Sequence, residues 1–206
     1  MTNIQKCGVI GVGFVGATCA YTLAVSGLFS GLVLVDNRDK AIGEAADINH
    51  GVAFSKPCRV MAGDYADLAE CGLIIIAAGA NQKPGESRLE LLGRNKGILS
   101  SVIAQLTAVN REAILLVVSN PVDVLTCLAQ QLSGFPAGRV LGSGTVLDTA
   151  RLKYLLGQRL GVDSRNGKLG KESNADVQML CSINRDTGEI RLVSLYRDTF
   201  LMNDTS

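Results

Sequence analysis

A glycine-rich turn lies between a predicted strand and a predicted helix near the beginning of the chain, and it restricts the possible folds more than any other segment. The turn, Gly11-Val-Gly-Phe-Val-Gly16, directly follows the predicted strand Lys6–Ile10 and opens the predicted helix Phe14–Val25. In that setting the first glycine makes a tight turn, the second lets the backbone approach a pyrophosphate, and the third lets the helix pack against the strand. The amides at the helix N-terminus then face the phosphates. The turn predicts a dinucleotide-binding α/β fold, and a glycine turn that binds nothing is the alternative.

Short β-branched runs alternate with longer amphipathic segments over about the first 160 residues. This alternation predicts a Rossmann-type, doubly wound parallel sheet with helices on both faces. Gly27 and Gly134 stand where helix C-terminal caps belong. The predicted strands are Lys6–Ile10, Leu32–Val35, Arg59–Ala62, Leu73–Ala77, Ala113–Val118 and Arg139–Leu141, and the predicted helices are Phe14–Val25, Arg38–His50, Leu89–Ala108, Val122–Gln131 and Thr149–Leu160.

The pattern changes after Asn166. A polar, glycine-bearing stretch, Gly167–Asn174, is followed by two candidate strands, Asp176–Ile183 and Glu189–Arg197. The turn-forming residues between these strands predict a C-terminal β-hairpin where the earlier alternation would place a helix.

Composition removes several functional classes. Twenty Lys and Arg residues against nineteen Asp and Glu residues leave a net charge of +1, so there is no basic excess for nucleic acid. Apolar runs such as Leu73–Ala78 are far shorter than the roughly 18 residues of a membrane helix, and no basic region followed by an apolar signal core stands at the N-terminus, so we expect a cytoplasmic location. The six cysteines form no C-x-x-C pair and are accompanied by one histidine, so we expect no metal site and reduced core cysteines.

Asp36 ends the second predicted strand, 20 residues beyond Gly16. A carboxylate at this point accepts hydrogen bonds from the ribose hydroxyls of a dinucleotide. It would also repel the 2′-phosphate of NADP. Asp36 therefore predicts NAD as the cofactor.

Three further motifs identify a family resemblance. They are Gly79-Ala-Asn-Gln-Lys-Pro-Gly-Glu-Ser-Arg88, Val118-Ser-Asn-Pro-Val-Asp123 and Ser143-Gly-Thr-Val-Leu-Asp-Thr-Ala-Arg151. With the glycine turn they resemble the lactate and malate dehydrogenases, and within them the bacterial L-lactate dehydrogenases, over about four-fifths of the chain. The resemblance implies NAD-dependent interconversion of pyruvate and (S)-lactate, a reaction of glycolysis and fermentation. It also implies a dinucleotide-binding domain over 1–142 and the start of a substrate domain over 143–166.

The resemblance assigns roles to individual residues. Arg88 and Asp148 are the implied catalytic residues: the first polarises the substrate ketone, and the second orients a histidine. Gln82, neutral where malate enzymes carry arginine, favours pyruvate over oxaloacetate because a second carboxylate would be buried unpaired. The implied substrate-binding residues are Gln82, Arg88, Asn120, Asp123, Asp148 and Arg151, of which Arg151 clamps the carboxylate. The implied cofactor-binding residues are Gly11, Gly13, Val15, Gly16, Asp36, Lys40, Tyr65, Gly79, Ala80, Ser101, Val118, Ser119, Asn120 and Ser143.

The chain departs from the family pattern after about Asn166. The family's proton-donating histidine lies in a Gly-Glu-His-Gly stretch that this sequence lacks, and the single histidine, His50, matches a structural position. Residues 167–206 instead resemble the opening of the LytR-CpsA-Psr phosphotransferases, in which residues matching Asp176 and Arg197 contact a metal and a lipid-linked pyrophosphate. A bare hairpin is the alternative for this tail, because two strands alone bury little core.

Three hypotheses for the whole chain follow. The first is an L-lactate dehydrogenase by family, truncated and joined to a foreign tail; the second is a domain that binds NAD without turnover; the third is a cell-wall phosphotransferase fragment. We favour the first by descent and expect this polypeptide to behave more like the second. The family is homotetrameric, and we expect poor assembly here because the pairing surfaces include the second predicted helix and the missing domain.

Overall fold

A computed structural model describes residues 3–53, 55–81, 83–160, 179–183 and 190–194. The chain divides into two compact units, Met1–Gly142 and Ser143–Ser206. The first unit is built on a six-stranded sheet: β1 (Asn3–Ile10), β2 (Gly31–Val35), β3 (Arg59–Ala62), β4 (Cys71–Ile76), β5 (Ile114–Val117) and β6 (Val140–Gly142).

Every strand of this sheet is parallel to its neighbours. The strand order is β3-β2-β1-β4-β5-β6, so the chain reverses its direction of travel across the sheet between β1 and β4. This is the doubly wound order, and it confirms the predicted fold class.

Four helices connect the strands: α1 (Phe14–Ser26), α2 (Arg38–Gly51), α3 (Arg88–Val109) and α4 (Val122–Ser133). Gly27 and Gly134 end α1 and α4 in the left-handed region, at φ 66° and 65°, which confirms both as C-terminal caps. Ser87 begins α3 with a capping box to Glu90. Two short 3₁₀ helices, Tyr65–Leu68 and Ala137–Arg139, were not predicted.

Side chains that alternate along the strands enter two separate clusters. Val9, Leu34 and Ile75 pack with residues of α1 and α2. Ile76 and Val117 pack with residues of α3 and α4. Because successive strand residues point to opposite faces, the sheet is covered on both sides, as its apolar runs predict.

The cysteines are only partly core residues. Cys7 and Cys71 are buried, and burial raises the pKa of the Cys71 thiol to about 11. Cys19 and Cys58 are half-buried. The prediction of a core position is wrong for Cys127, which is exposed on α4. The side chain of Cys181 lies outside the described residues.

The second unit contains α5 (Val146–Leu160) and two strands, β7 (Met179–Ile183) and β8 (Ile190–Ser194). Helix α5 begins three residues before the predicted start at Thr149, with the amide of Val146 donating to the carbonyl of Ser143. Strands β7 and β8 pair antiparallel, with Met179 opposite Ser194, as predicted for a hairpin. The turn between these strands and the compositional boundary near Asn166 lie outside the described residues. None of the helices within the described ranges has the length and hydropathy that a membrane crossing needs.

Candidate cofactor site and substrate loop

The three glycines of the turn, here called the glycine loop (residues 11–16), have three different environments. Gly11 has φ 88°, and a Cβ there would overlap the backbone of Ala78. A Cβ on Gly16 would overlap the carbonyl oxygen of Gly11. A Cβ on Gly13 would meet nothing nearer than Lys40 Nζ at 4.0 Å. Gly11 and Gly16 are therefore needed for packing within the chain, whereas Gly13 leaves space that a ligand can enter.

The N-terminus of α1 opens into the same space. Gly13 is its N-cap residue and has no side chain to bond the first-turn amides, and the first turn carries no acidic residue. These amides have no partner within the helix, and the helix dipole adds positive potential at this end. The helix end is therefore suited to an anionic group.

Asp36 follows β2 and is tied to the glycine loop. Its Oδ2 accepts a 2.7 Å bond from the Val12 amide and a 3.2 Å bond from Lys40 Nζ, and its Oδ1 accepts a 2.7 Å bond from the Asn37 amide. Partial burial acts to raise the pKa of Asp36, but the bonds from Asn37, Val12 and Lys40 outweigh it and hold the pKa below its ordinary value. The carboxylate is thus ionised at neutral pH and keeps an acceptor position for a further donor.

A cavity of about 350 Å³ lies at the carboxyl ends of β1, β2 and β4. This position is beside the point where the strand order reverses, where ligands of open α/β sheets bind. The size is at the lower end of the usual range for ligand sites. We call it the strand-end cavity, and its lining residues are Ile10, Gly11, Gly13, Val35, Asp36, Lys40, Tyr65, Ala77, Ala78, Gly79, Ile98 and Val102.

Six of the predicted cofactor residues line this cavity: Gly11, Gly13, Asp36, Lys40, Tyr65 and Gly79. Burial, and then the charge of Asp36, raise the pKa of the Tyr65 hydroxyl, so it remains a neutral donor. Seven other predicted residues of the first unit lie outside the lining, namely Val15, Gly16, Ala80, Ser101, Val118, Ser119 and Asn120. Ser101 is exposed, and its hydroxyl accepts a 3.3 Å bond from Gln105.

Asn95 on α3 is a residue that sequence reasoning missed. It is 3% exposed, accepts a 2.8 Å bond from the Ala80 amide and donates a 2.9 Å bond to the Asn120 carbonyl. The Ser119 hydroxyl makes a second link, donating over 2.6 Å to the carbonyl of Ala78. The segments that follow β4 and β5 are therefore joined by side chains as well as by the sheet.

The predicted substrate residues are distributed over both units. Gln82 lies outside the described residues, and Arg88 is the first residue of α3, with its side chain outside the described part. Asp123 is half-buried in the first turn of α4. In the second unit Arg151 donates a 3.2 Å bond to Asp148 within α5, and both side chains are exposed. Ser143 bonds through its backbone to the start of the same helix.

Comparison with known proteins gives this architecture its family. The model of the lactate/malate dehydrogenase NAD binding domain matches residues 5–142. The chain belongs to the lactate/malate dehydrogenase family. NAD is thus the cofactor of the matched domain, and the open space at Gly13, the uncapped start of α1 and the ionised Asp36 fit it.

Curated L-lactate dehydrogenases match a longer part of the chain than the family model does. The chain is 55% identical over 164 residues to an L-lactate dehydrogenase of Thermoanaerobacter sp. (strain X514), covering 79% of this chain and 53% of that protein. It is 53% identical over 167 residues to L-lactate dehydrogenase 1 of Clostridium acetobutylicum, covering 81% and 53%. The chain spans about half the length of the curated relatives it matches.

Solved structures of the family share the fold. A lactate dehydrogenase, MGS-M5, from a Medee basin deep-sea metagenome library matches with a TM-score of 0.76 and 44% identity, over 88% of this chain and 55% of that one. The minor L-lactate dehydrogenase from Enterococcus mundtii matches with a TM-score of 0.77 and 38% identity, over 86% and 54%. The resemblance of residues 167–206 to LytR-CpsA-Psr phosphotransferases stays a prediction.

Proposed function

We propose that the chain carries the cofactor half of an NAD-dependent L-lactate dehydrogenase, which interconverts pyruvate and (S)-lactate. The observation that carries the proposal is the strand-end cavity, where the glycine loop and Asp36 stand together in a chain 55% identical to an L-lactate dehydrogenase. NAD, when bound, supplies hydride transfer between its nicotinamide ring and the substrate C2. The proposal includes small-molecule partners only, the cytoplasmic location expected from the sequence, and the domain division at residues 142 and 166.

The cofactor residues would act by position and charge. The pyrophosphate would bind at Gly13 and the start of α1. The space beside Gly13 is open, since a Cβ added there would meet nothing nearer than Lys40 Nζ at 4.0 Å. Asp36 would accept from the ribose hydroxyls, and Lys40, 3.2 Å from its carboxylate, would keep it oriented. The remaining predicted cofactor positions, from Val15 to Ser143, belong to this proposal as the family resemblance assigns them.

The substrate residues would act by recognising an α-keto acid. Arg88 would polarise the ketone, and Gln82 would leave a second carboxylate without a partner. Arg151 would bind the substrate carboxylate with two parallel hydrogen bonds. Asp148, which now pairs with Arg151 at 3.2 Å, would orient the family's histidine.

The family's proton-donating histidine has no match in these 206 residues. The single histidine of the 206 residues is His50, in the last turn of α2. The polypeptide would therefore bind NAD and turn over slowly, because a positioned acid contributes about 10²- to 10⁴-fold to such reactions. An NAD-binding domain without turnover is the second candidate, and the same observation favours it.

Cofactor titration tests the proposal directly. We expect NADH binding to the 206-residue chain, followed by cofactor fluorescence or calorimetry, with weaker binding of NADPH. Absence of NADH binding by a folded sample would contradict the proposal. Oxidation of bound NADH by pyruvate, followed by its absorbance, would then decide between slow turnover and none.

A further inference from the structure

Arg94 on α3 makes a three-bond contact with the loop between β4 and α3. Its Nε donates to Glu86 Oε1 over 2.8 Å and its Nη2 donates to Glu86 Oε2 over 2.7 Å. The same Nη2 lies 2.9 Å from the carbonyl oxygen of Asn81 and donates to it. This is a two-pronged arginine–carboxylate pair with an additional backbone bond, a geometry that only a planar guanidinium provides.

Glu86 holds the other side of the same loop. Its Oε2 accepts a 2.8 Å bond from the Lys83 amide, and its own amide donates to the Lys83 carbonyl over 3.0 Å. The carboxylate is 11% exposed and the Arg94 side chain 35%, so the pair is partly shielded from water. The bonds from Arg94 and from the Lys83 amide hold the pKa of Glu86 below its ordinary value.

The Arg94 and Glu86 bonds reach the backbone immediately before and immediately after residue 82. The carbonyl of Asn81 and the amide of Lys83 are the backbone groups that flank residue 82, and both bond to the Arg94–Glu86 pair. Asn95, the next residue of α3, holds the amide of Ala80. One turn of α3 therefore bonds, directly or through Glu86, to the backbone of Ala80, Asn81 and Lys83, although the loop contains Gly85 at φ 79°.

We propose that Arg94 is a positioning residue, which together with Glu86 holds the carbonyl of Asn81 and the amide of Lys83 and so orders the loop to which the proposed function assigns substrate discrimination. The substrate part rests on the proposed function, in which Gln82 discriminates between α-keto acids. The positioning part rests on the Arg94–Glu86 geometry alone. Arg94 touches neither substrate nor cofactor in this proposal and acts through the loop.

Hydrogen exchange of the Lys83 amide tests the positioning part. We expect exchange to accelerate about tenfold or more in Arg94→Met, and by less in Arg94→Lys, which keeps the charge but loses the planar fork. Arg111→Lys is the matched control, because the exposed Arg111 donates a 3.1 Å bond to the nearby Thr107 carbonyl and lies outside the β4–α3 loop. Unchanged Lys83 exchange in a folded Arg94→Met variant, or equal acceleration in the control, would overturn the proposal. If Arg94→Met does not fold, Arg94→Lys decides by the same criterion.

Keto-acid binding to the NADH-saturated chain tests the substrate part. We expect Arg94→Lys to narrow the ratio of oxaloacetate to pyruvate dissociation constants several-fold while the NADH dissociation constant stays within twofold of the unmodified value. An unchanged ratio, with accelerated Lys83 exchange, would overturn the selective role of the pair. If the unmodified chain binds neither keto acid, the proposed function fails at the substrate, and the exchange experiment still decides the role of Arg94.

Discussion

The glycine loop and the β4–α3 loop both lie at the carboxyl ends of the central strands, but different forces hold them. The glycine loop is held mainly by backbone packing, because a Cβ on Gly11 or Gly16 would overlap neighbouring main-chain atoms, and the Asp36 carboxylate adds one bond to the Val12 amide. The β4–α3 loop is held by side chains, chiefly the Arg94–Glu86 pair. The energy of a steric overlap rises steeply over a few tenths of an ångström, whereas the strength of a partly exposed ion pair varies gradually with charge and geometry.

This difference separates the two parts of the proposed activity. In the proposal, cofactor binding depends chiefly on the backbone of the glycine loop, which lies beside the strand-end cavity. In the proposal, substrate chemistry depends on charged groups in the β4–α3 loop and in α5, and on a proton donor. Cofactor binding should therefore change little with pH and salt concentration, whereas substrate chemistry should depend on both.

The largest expected effect is a separation of binding from turnover. We expect the 206-residue chain to bind NADH while it reduces pyruvate about 10²- to 10⁴-fold more slowly than a full-length relative under the same conditions, because no imidazole besides His50 is present. NADH absorbance with purified protein measures the rate, and NADH titration of the same preparation is the control. A rate comparable to the relative's would show that another residue supplies the proton.

Two glycine substitutions test the role of backbone packing in the glycine loop. Gly16→Ala should lower the free energy of unfolding by about 1–3 kcal/mol or more, since its Cβ would overlap the Gly11 carbonyl oxygen. Gly13→Ala should change stability by less than about 1 kcal/mol, because its nearest contact is at 4.0 Å, yet weaken NADH binding about tenfold or more. Denaturant unfolding and calorimetry measure the two effects. Full-strength NADH binding by Gly13→Ala would contradict the assigned approach of the pyrophosphate.

Replacing Asp36 tests the charge at the same cavity. Asp36→Ser should reduce the preference for NADH over NADPH about tenfold, because it removes a carboxylate that would face the 2′-phosphate and releases Lys40 to pair with that phosphate. Calorimetry with both cofactors measures the ratio. Asp39→Ser, an exposed carboxylate in the first turn of α2, is the control and should leave the ratio unchanged. A ratio unaffected by Asp36→Ser would remove Asp36 from cofactor selection.

The smallest effect concerns pH. Since the pKa of Glu86 is lowered in the folded chain, the order that this carboxylate gives the loop should be complete above its ordinary pKa of 4.5 and be lost as pH falls through the lowered value. Hydrogen exchange of the Lys83 amide from pH 6 to 3, corrected for intrinsic rates, should therefore accelerate only at the acid end. The Gly11 amide, bonded to the Val35 carbonyl at 2.8 Å, has no titrating acceptor and is the control. If the exchange rates of the Lys83 and Gly11 amides showed the same pH dependence, the two loops would not differ in how they are held.

Backbone features were the most predictable from sequence. The six strands and α1 to α4 begin and end within three residues of the predicted positions, because apolar periodicity, Gly27 and Gly134 act locally. The position of Asp36 beside the glycine loop was predictable too, since chain spacing and strand order fix it. Its bond to the Val12 amide was not, because it depends on how closely two strand ends approach.

Side-chain links between distant segments could not be predicted. Nothing in the local pattern around Arg94 and Asn95 distinguishes them from solvated residues of a helix, and their partners become neighbours only after the sheet forms. The early start of α5 at Val146 was missed because the motif around it contains Gly144 and Thr145, which favour turns. The assigned roles of Arg88, Gln82, Asp148 and Arg151 remain predictions.

The buried side-chain amide of Asn95 couples two segments of this chain. It joins Ala80 and Asn120, 40 positions apart in the chain, through one side chain that is 3% exposed. A substitution that shifts the backbone at either end alters the geometry available to the other, so paired changes should show non-additive energies of about 0.5–3 kcal/mol. The segments after β4 and after β5 are thereby coupled energetically: the stability cost of a substitution after β4 should depend on which residues stand after β5.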